Sequence, residues 1–371
     1  MSGSGKSSTT RRVRAALSAA VVVCAVTAAL PGAAWAEPTE VAGAADDRPT
    51  AVERISVAAD GSPADGNSAG GSITPDSRYV VFSSSAANLT PDTATGGDRA
   101  FIRDQQTGQT KRIGSQSPLE PPVISGNGDF IAFAHQWMRN VRIRQDWVST
   151  GQAISANCSA YSCNQPTLSS DGHSIALAIL MRTPTLNRQT IEVQDWSTKQ
   201  TVASLGHTLP SRPSISGDGL HVAYEDGQTR DVFLWDRTTG TTSGPVEGPS
   251  KAAALVQLSD DSSKIVYLSG SDTYVHDVAS GTAQLVANAR GVAIDPTGRY
   301  LLYAPQDTSG PSLVLRDLQA GTDEVVSVQP ATAGTDAVSA GGHDVVFRST
   351  VDGIVPGDTN GKADVFVRHF L

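Results

Sequence analysis

The sequence predicts an all-β protein, a seven-bladed β-propeller built from four-stranded antiparallel blades. Three observations lead to this fold class. A unit of about 44 residues recurs seven times, a period typical of propeller blades. Short segments rich in Val, Thr and Ser alternate with Gly-containing turns. No long apolar run at helical spacing follows the first forty residues.

Each unit starts with an apolar residue, here called the anchor, followed by a small polar residue and a Gly/Asp turn. The seven anchors are Ile73, Ile124, Leu168, Ile215, Leu258, Ile294 and Val338. A short inner strand precedes the anchor, as in "QPTLS" and "RPSIS". The second strand follows the turn, the third resembles "AFIRD", and the fourth follows a turn in which Gly supplies positive φ angles. Four strands per unit therefore form one blade.

The seventh unit lacks its fourth strand, because the chain stops shortly after its third, "DVFVRH". A matching segment, "VERISV" at residues 52–57, lies ahead of the first unit and resembles "DEVVSV" at residues 323–328. An unpaired outer edge would leave a row of open backbone donors and acceptors. We therefore predict that residues 52–57 pair with the last blade and close the ring.

These repeats resemble the TolB-like propeller family, also described as SPDG-repeat or WD-like, which is found in many secreted and periplasmic proteins. The resemblance covers roughly residues 52–371. It implies a rigid scaffold, and such scaffolds serve as binding proteins, structural proteins and enzymes. TolB itself carries an additional N-terminal domain, whereas a short linker precedes the propeller here, so the resemblance does not extend to TolB's transport role.

The N-terminus is typical of a secretory signal peptide. Three arginines precede an apolar stretch from Ala15 to Leu30 and a small-residue exit, Ala-Trp-Ala, that ends at Ala36. A membrane anchor is the alternative, and the Sec and twin-arginine routes both stay open. The expected location is secreted or extracellular, with association to the cell wall as a variant. The predicted organisation is signal peptide at 1–36, flexible linker at 37–51 and propeller at 52–371.

The charge of the chain excludes some partners. The net charge is −9, and without residues 1–36, which hold four basic and no acidic residues, 24 basic residues face 37 acidic ones, giving −13. Such a charge argues against nucleic acid and anionic membrane surfaces. We expect a monomer with a protein or anionic glycan as its partner, and no membrane span once the leader is cleaved.

Two short motifs have structural or ligand-binding interpretations. Cys158 and Cys163 in "NCSAYSC" predict a disulfide in an exported protein, with free thiols as the alternative. Asp358, Asn360 and Asp364 have the oxygen-rich spacing of a calcium loop, but a Gly-centred turn explains the same residues. We expect no cofactor, with calcium at these three residues as the alternative.

The expected binding surface lies on the face that carries the loops between second and third strands and the connections between blades. Loops on a rigid scaffold commonly carry recognition, and Trp, Tyr and Arg often anchor interfaces. Packing between blades and local ion pairs are the alternative roles for any one of these side chains. In blades 2 to 4 this face collects His135, Trp137, Arg139, Tyr161, Arg182, Arg188, His207 and Arg212.

The sequence is compatible with three classes of function. The first is a non-enzymatic binding or scaffold module for a protein or glycan. The second is a polysaccharide lyase or hydrolase that works from the propeller channel, although the seven histidines are spread around the ring and no metal-binding set is visible. The third is a purely structural envelope protein. The sequence favours the first class and assigns no catalytic residue.

Overall fold

In a computed structural model of the chain, the described residues are 51–91, 97–156, 158, 161–182, 187–206 and 209–370, without the side chains of Arg182 and Asn187. The predicted signal peptide and nearly all of the linker lie outside these ranges. Within them, the one helical element is a 3₁₀ turn at Ala340–Gly342. No described helix is long and apolar enough to span a membrane.

The strands form seven four-stranded antiparallel sheets, one per blade. The first strand is β1 (Val52–Arg54). Blade 1 contains β2 (Ser68–Ile73), β3 (Tyr79–Ser84), β4 (Arg99–Asp104) and β5 (Gln109–Ile113). Blade 2 contains β6 (Val123–Ile124), β7 (Phe130–Trp137), β8 (Asn140–Trp147) and β9 (Ala153–Ser155). Blade 3 contains β10 (Ser162–Leu168), β11 (Ser174–Arg182), β12 (Asn187–Asp195) and β13 (Gln200–Leu205).

The remaining blades follow the same plan. Blade 4 contains β14 (Ser211–Ile215), β15 (His221–Asp226), β16 (Asp231–Asp236) and β17 (Thr241–Val246). Blade 5 contains β18 (Ala254–Leu258), β19 (Lys264–Ser269), β20 (Asp272–Asp277) and β21 (Ala283–Val286). Blade 6 contains β22 (Ala289–Ile294), β23 (Tyr300–Pro305), β24 (Leu313–Asp317) and β25 (Thr322–Ser327). Blade 7 contains β26 (Ala331–Thr332), β27 (Asp344–Ser349), β28 (Asp364–His369) and, outermost, β1. The predicted seven-bladed propeller is confirmed.

The turn between the first and second strands of each blade explains the repeated motif. In blade 3 the hydroxyl of Ser169 accepts a hydrogen bond from the amide of Ser174 at 3.0 Å and donates one to Asp171 at 2.6 Å. The Asp171 carboxylate also accepts the amide of His173 at 2.9 Å. The equivalent hydroxyls, one residue after the anchor, are Thr74, Ser125, Ser216, Ser259 and Ser339. The small polar residue of the motif therefore closes this turn through the hydrogen bonds of its side chain. We call this arrangement the hydroxyl staple.

These turns form one face of the ring, called the lower face, and backbone hydrogen bonds link several of them. The amide of Ser170 donates to the carbonyl of Gly217 at 2.8 Å, and the amide of Gly217 donates to the carbonyl of Asp260 at 2.9 Å. Blade 7 meets blade 1 in the same way, since the amide of Ala340 donates to the carbonyl of Pro75 at 3.0 Å. The lower face is thus tied from blade to blade.

The apolar core lies in the gaps between blades. Seven clusters of buried side chains each join two neighbouring blades. In the cluster between blades 7 and 1, Ile73, Phe82 and Phe101 pack with Val346 and Val365. Burial of such side chains contributes on the order of 2 kcal/mol each, so blade-to-blade packing holds the ring.

The ring closes as predicted, through the N-terminal strand. In the antiparallel pairing of β1 with β28, Val52 lies opposite Arg368 and Arg54 lies opposite Phe366. The predicted strand was longer, residues 52–57. Its pairing ends early because the Ser56 hydroxyl turns inward, donates to the Asp364 carboxylate at 2.6 Å and accepts the amide of Val365 at 3.1 Å.

Candidate binding site on the upper face

The face opposite the staple turns, called the upper face, is uneven because the second strands of two blades are longer than those of the other five. All seven second strands begin six residues after their anchors. Five of them have six residues, whereas β7 has eight and β11 has nine. At about 3.3 Å per residue, the additional residues extend these hairpins by roughly 7 and 10 Å. We call the described ends of these two hairpins, residues 136–140, 181, 182, 187 and 188, the ridge.

Continuous strand pairing supports the ridge. The pairing of β7 with β8 runs without a bulge from Phe130 opposite Trp147 to Trp137 opposite Asn140. The side-chain amide of Gln136 donates to the carbonyls of Met138 and Asn140 at 2.9 and 3.1 Å. In blade 3, β11 and β12 pair without a bulge along their whole length. The paired strands of both hairpins therefore continue the sheets of their blades.

Three of the predicted site residues share the ridge. Trp137 is 53% exposed, and Arg139 and Arg188 are exposed. Within the described ranges, neither arginine has a carboxylate partner. Met138, which the sequence did not single out, is 85% exposed beside Trp137, and Leu119, in the connection to β6, is also exposed. A large aromatic side chain, a thioether and two unpaired cations thus face solvent on neighbouring blades.

His135 does not reach the surface. It is 4% exposed, its Nδ1 lies 3.3 Å from the carbonyl of Gln136, and its ring lies 6.4 Å from those of Phe133 and Trp137. Burial lowers the pKa of His135, which favours a neutral imidazole. Alternate residues of a strand share one face, so His135 stands beneath Trp137 and supports it.

Tyr161 belongs to the core more than to the face. It is half-buried and packs against the cluster between blades 2 and 3. Its amide donates to the carbonyl of Cys158 at 3.0 Å. Cys158 and Cys163 are both buried and joined by a disulfide, with 5.8 Å between their Cα atoms. This part of the loop shapes the side of the ridge and exposes little of Tyr161.

The remaining predicted residues lie in the channel or fall outside the described part of the structure. Arg212 lies on the inner strand β14 and lines the central channel, with Nε 3.8 Å from Oε2 of Glu225. The backbone of Arg182 ends β11, and its side chain lies outside the described part of the structure, as does the whole of His207. The six predicted residues whose side chains are described therefore divide into three on the ridge, two buried or half-buried beside it and one in the channel.

The loop considered for calcium has a cation of its own. Arg54 and Asp358 form a buried ion pair at 2.8 Å, and Arg54 Nε lies 3.8 Å from Asp364. The side-chain amide of Asn360 donates to Asp364 at 2.9 Å. The positive charge that these carboxylates need thus comes from β1, and calcium stays a hypothesis that this arrangement does not favour. Among the described residues, no three His, Cys, Asp or Glu side chains are grouped to hold a metal ion.

Comparisons with known proteins support the fold. No protein-family model and no curated protein sequence matches the chain. An oligogalacturonate lyase in complex with manganese is similar with a TM-score of 0.61 and 13% identity, covering 86% of this chain and 93% of its own. Oligogalacturonate lyase from Vibrio parahaemolyticus gives 0.63 and 10%, covering 87% and 94%. TolB from Acinetobacter baumannii gives 0.47 and 18%, covering 71% and 64%.

The similarity to the two oligogalacturonate lyases shows a shared propeller fold. The propeller part of the predicted TolB-like resemblance is therefore confirmed, while no comparison assigns the chain to that family. At such low identities a shared fold carries no activity with it.

Proposed function

We propose that this protein is a secreted, non-enzymatic binding module whose ridge contacts an anionic protein or glycan. The observation that carries the proposal is the exposure of Trp137 beside Arg139 and Arg188, which have no carboxylate partner among the described residues, at the ends of the two hairpins with the longest second strands. Exposed Trp and Arg side chains are the types that most often dominate interfaces. A folded chain gains little from exposing them, so we attribute their position to recognition.

Electrostatics supports an anionic partner. The predicted mature chain has a net charge of −13, so most of its surface repels anions. The ridge concentrates positive charge where the rest of the chain is acidic. An anionic polysaccharide or an acidic protein surface would be attracted to this one region and repelled elsewhere, which fixes the orientation of binding.

The test compares two triple variants of the purified protein. One replaces Trp137, Arg139 and Arg188 with alanine. The other replaces Leu285, Lys111 and Lys199 with alanine, which removes one exposed apolar and two exposed basic side chains from the outer strands and lower turns. The probes are an array of anionic and neutral polysaccharides together with cell-wall and medium extracts.

We expect wild-type protein and the control variant to bind the same anionic species, and the ridge variant to bind it at least tenfold more weakly. Equal binding by all three proteins, with unchanged melting temperatures, would rule out the ridge.

A channel enzyme is the second candidate, because Glu120, Arg212 and Arg290 line the central channel and the fold is shared with oligogalacturonate lyases. Acid–base chemistry needs a base within reach of its substrate. Incubation with oligogalacturonates, followed by ultraviolet detection of unsaturated products, tests this candidate. We expect no product. Product formation by the wild-type protein that is lost in Arg290→Gln would contradict the non-enzymatic proposal and would support catalysis in the channel.

A further inference from the structure

The central channel is a second candidate site, separate from the ridge. Its cavity of about 460 Å³ is lined by residues from the inner region of every blade. This volume lies within the range of small-molecule pockets, roughly 300–1,000 Å³. The inner strands run from the upper to the lower face, so a residue's position relative to its anchor gives its depth in the channel.

The upper part of the channel holds cations. Arg290 lies four residues before its anchor and Arg212 lies three residues before its own. Within the described ranges Arg290 has no acidic partner, and the side chain of Arg212 is 57% exposed with Glu225 at 3.8 Å. Among the residues that line the channel, the carboxyl at this level is Glu120, which accepts the amide of Gln165 at 2.8 Å, and burial raises its pKa. Arg290 is therefore the cation of the upper channel without a carboxylate partner among the described residues, and Arg212 shares its charge with Glu225.

The deeper part of the channel holds carboxylates. Asp336 lies two residues before its anchor, and Asp260 follows its own by two residues, at the lower mouth. Their hydrogen bonds come from uncharged groups: the Gln257 amide donates to Asp336 at 2.7 Å, and the Ser170 hydroxyl donates to Asp260 at 3.3 Å. Among the described residues no Lys or Arg pairs with either. Burial raises the pKa of Asp336 to about 6 and that of Asp260 to about 7.

Backbone conformation directs two of these side chains. Arg212 and Asp336 are non-glycine residues with φ of 51° and 57°, in the left-handed region. Such a conformation costs on the order of 1 kcal/mol per residue and is concentrated at functional sites. In blade 4 it accompanies a shift of register between β14 and β15 after Ser211. Gly70 and Gln165 adopt the same conformation three residues before their own anchors, so the bulge recurs in the inner strands, and in blade 4 it carries a charged side chain.

We propose that the channel binds a small zwitterion, with its carboxylate at Arg212 and Arg290 and its ammonium group at Asp336. The fold places arginines and aspartates at different depths of one channel. Among the described residues, Arg290 and Asp336 have no oppositely charged partner. A ligand with both charges would satisfy them together. Two strand positions separate Arg290 from Asp336 in depth, roughly 7 Å. An extended di- or tripeptide spans a comparable distance between its termini.

Titration calorimetry with tri-alanine tests the proposal, using forms with free termini, with an acetylated N-terminus and with an amidated C-terminus. We expect the free form to bind and each blocked form to bind at least tenfold more weakly. Arg290→Gln is expected to weaken the free and acetylated forms and leave the amidated form unchanged. Asp336→Asn is expected to weaken the free and amidated forms and leave the acetylated form unchanged.

Control variants separate this site from others. Arg316→Gln removes an arginine that pairs with Asp323 on the outer side of blade 6, and should leave binding unchanged. The ridge triple variant should also leave it unchanged, so failure here is distinguishable from failure of the ridge proposal. If Asp336→Asn lowers the melting temperature, Asp260→Asn tests the same end of the channel.

Binding of an amino uronic acid, measured in the same way, tests whether the zwitterion is a sugar or a peptide. Tighter binding than that of tri-alanine, with the same response to the substitutions, would support the charge arrangement and assign it to a sugar. Equal binding of the three peptide forms, or no binding of any probe at millimolar concentration, would overturn the proposal.

Discussion

The lower and upper faces of the ring join the same strands. The turns of the lower face repeat one hydrogen-bond pattern, whereas the hairpins of the upper face differ from blade to blade. On the lower face, six of the seven turns use the same hydroxyl staple, and backbone hydrogen bonds link neighbouring turns. On the upper face, the second strands of blades 2 and 3 are longer than the other five, and Trp137 and Met138 are exposed at the end of the first of them. Residues that recur hold the ring, and residues that depart from the recurrence are free to serve recognition. Substitutions should follow this division.

The largest loss of stability is expected at the ring closure. Arg54→Met would leave Asp358 and Asp364 buried without their cation, and breaking a buried pair in this way costs about 3–5 kcal/mol. Chemical denaturation measures the loss. Arg78→Met is the control, because it removes a solvent-screened pair with Asp104 and should cost much less. Equal losses would show that closure does not depend on this ion pair.

A smaller loss is expected in a lower-face turn. Gly172 has φ of +70°, and a Cβ there would lie 2.2 Å from the ring of Phe130 in the neighbouring blade. Gly172→Ala should therefore cost about 2–3 kcal/mol, from backbone strain and overpacking. Gly240→Ala isolates the strain, since its φ is +69° with no atom within 4 Å of the added Cβ. If both variants lose the same stability, the contact between residue 172 and the neighbouring blade adds nothing to the cost of the substitution.

The channel should give the protein a pH-dependent stability. The pKa values of Asp260 and Asp336 rise to about 7 and about 6 from an ordinary 3.8, so folding favours their protonated forms. Their contribution is complete below pH about 4 and is lost as the pH rises through about 6 to 7. We expect the melting temperature to fall between these pH values, and to fall less in Asp260→Asn. Identical slopes in the two proteins would contradict the prediction.

The smallest effect on stability is expected at the ridge. Replacing Trp137, Arg139 and Arg188 with alanine removes exposed side chains, and such changes usually stay within about 0.5 kcal/mol each. Thermal unfolding followed by circular dichroism measures this. A loss comparable to that of Gly172→Ala would mean that the ridge contributes to the fold and would weaken the contrast between the two faces.

Much of the fold was predictable because the motif is local. The anchor spacing gave the start of every second strand, and the match of Glu53 and Ser56 to Glu324 and Ser327 indicated the closing strand. Its length was wrong because pairing stops where the Ser56 side chain finds Asp364, a contact 308 residues away in the sequence.

The site was predicted less well, for a physical reason. The sequence placed Trp137, Arg139 and Arg188 in connections between second and third strands, and the structure has them on that face. It did not give the burial of His135, which follows from the unexpected length of β7. The channel position of Arg212 depends on a register shift and a left-handed residue, and neither follows from strand alternation. Arg290 and Asp336 were missed, although their distances from the anchors were visible in the sequence.

Ring closure by β1 also sets an order in time. Ribosomes make the N-terminal strand first, but its partner β28 is synthesised last. Until then, β1 has no sheet to join and the outer edge of blade 7 does not exist. Closing so long a loop has an entropic cost that local blade formation does not share, and contacts between distant residues form slowly. Individual blades therefore have time to form while the nascent chain stays open, and the final event of folding joins its oldest segment to its newest.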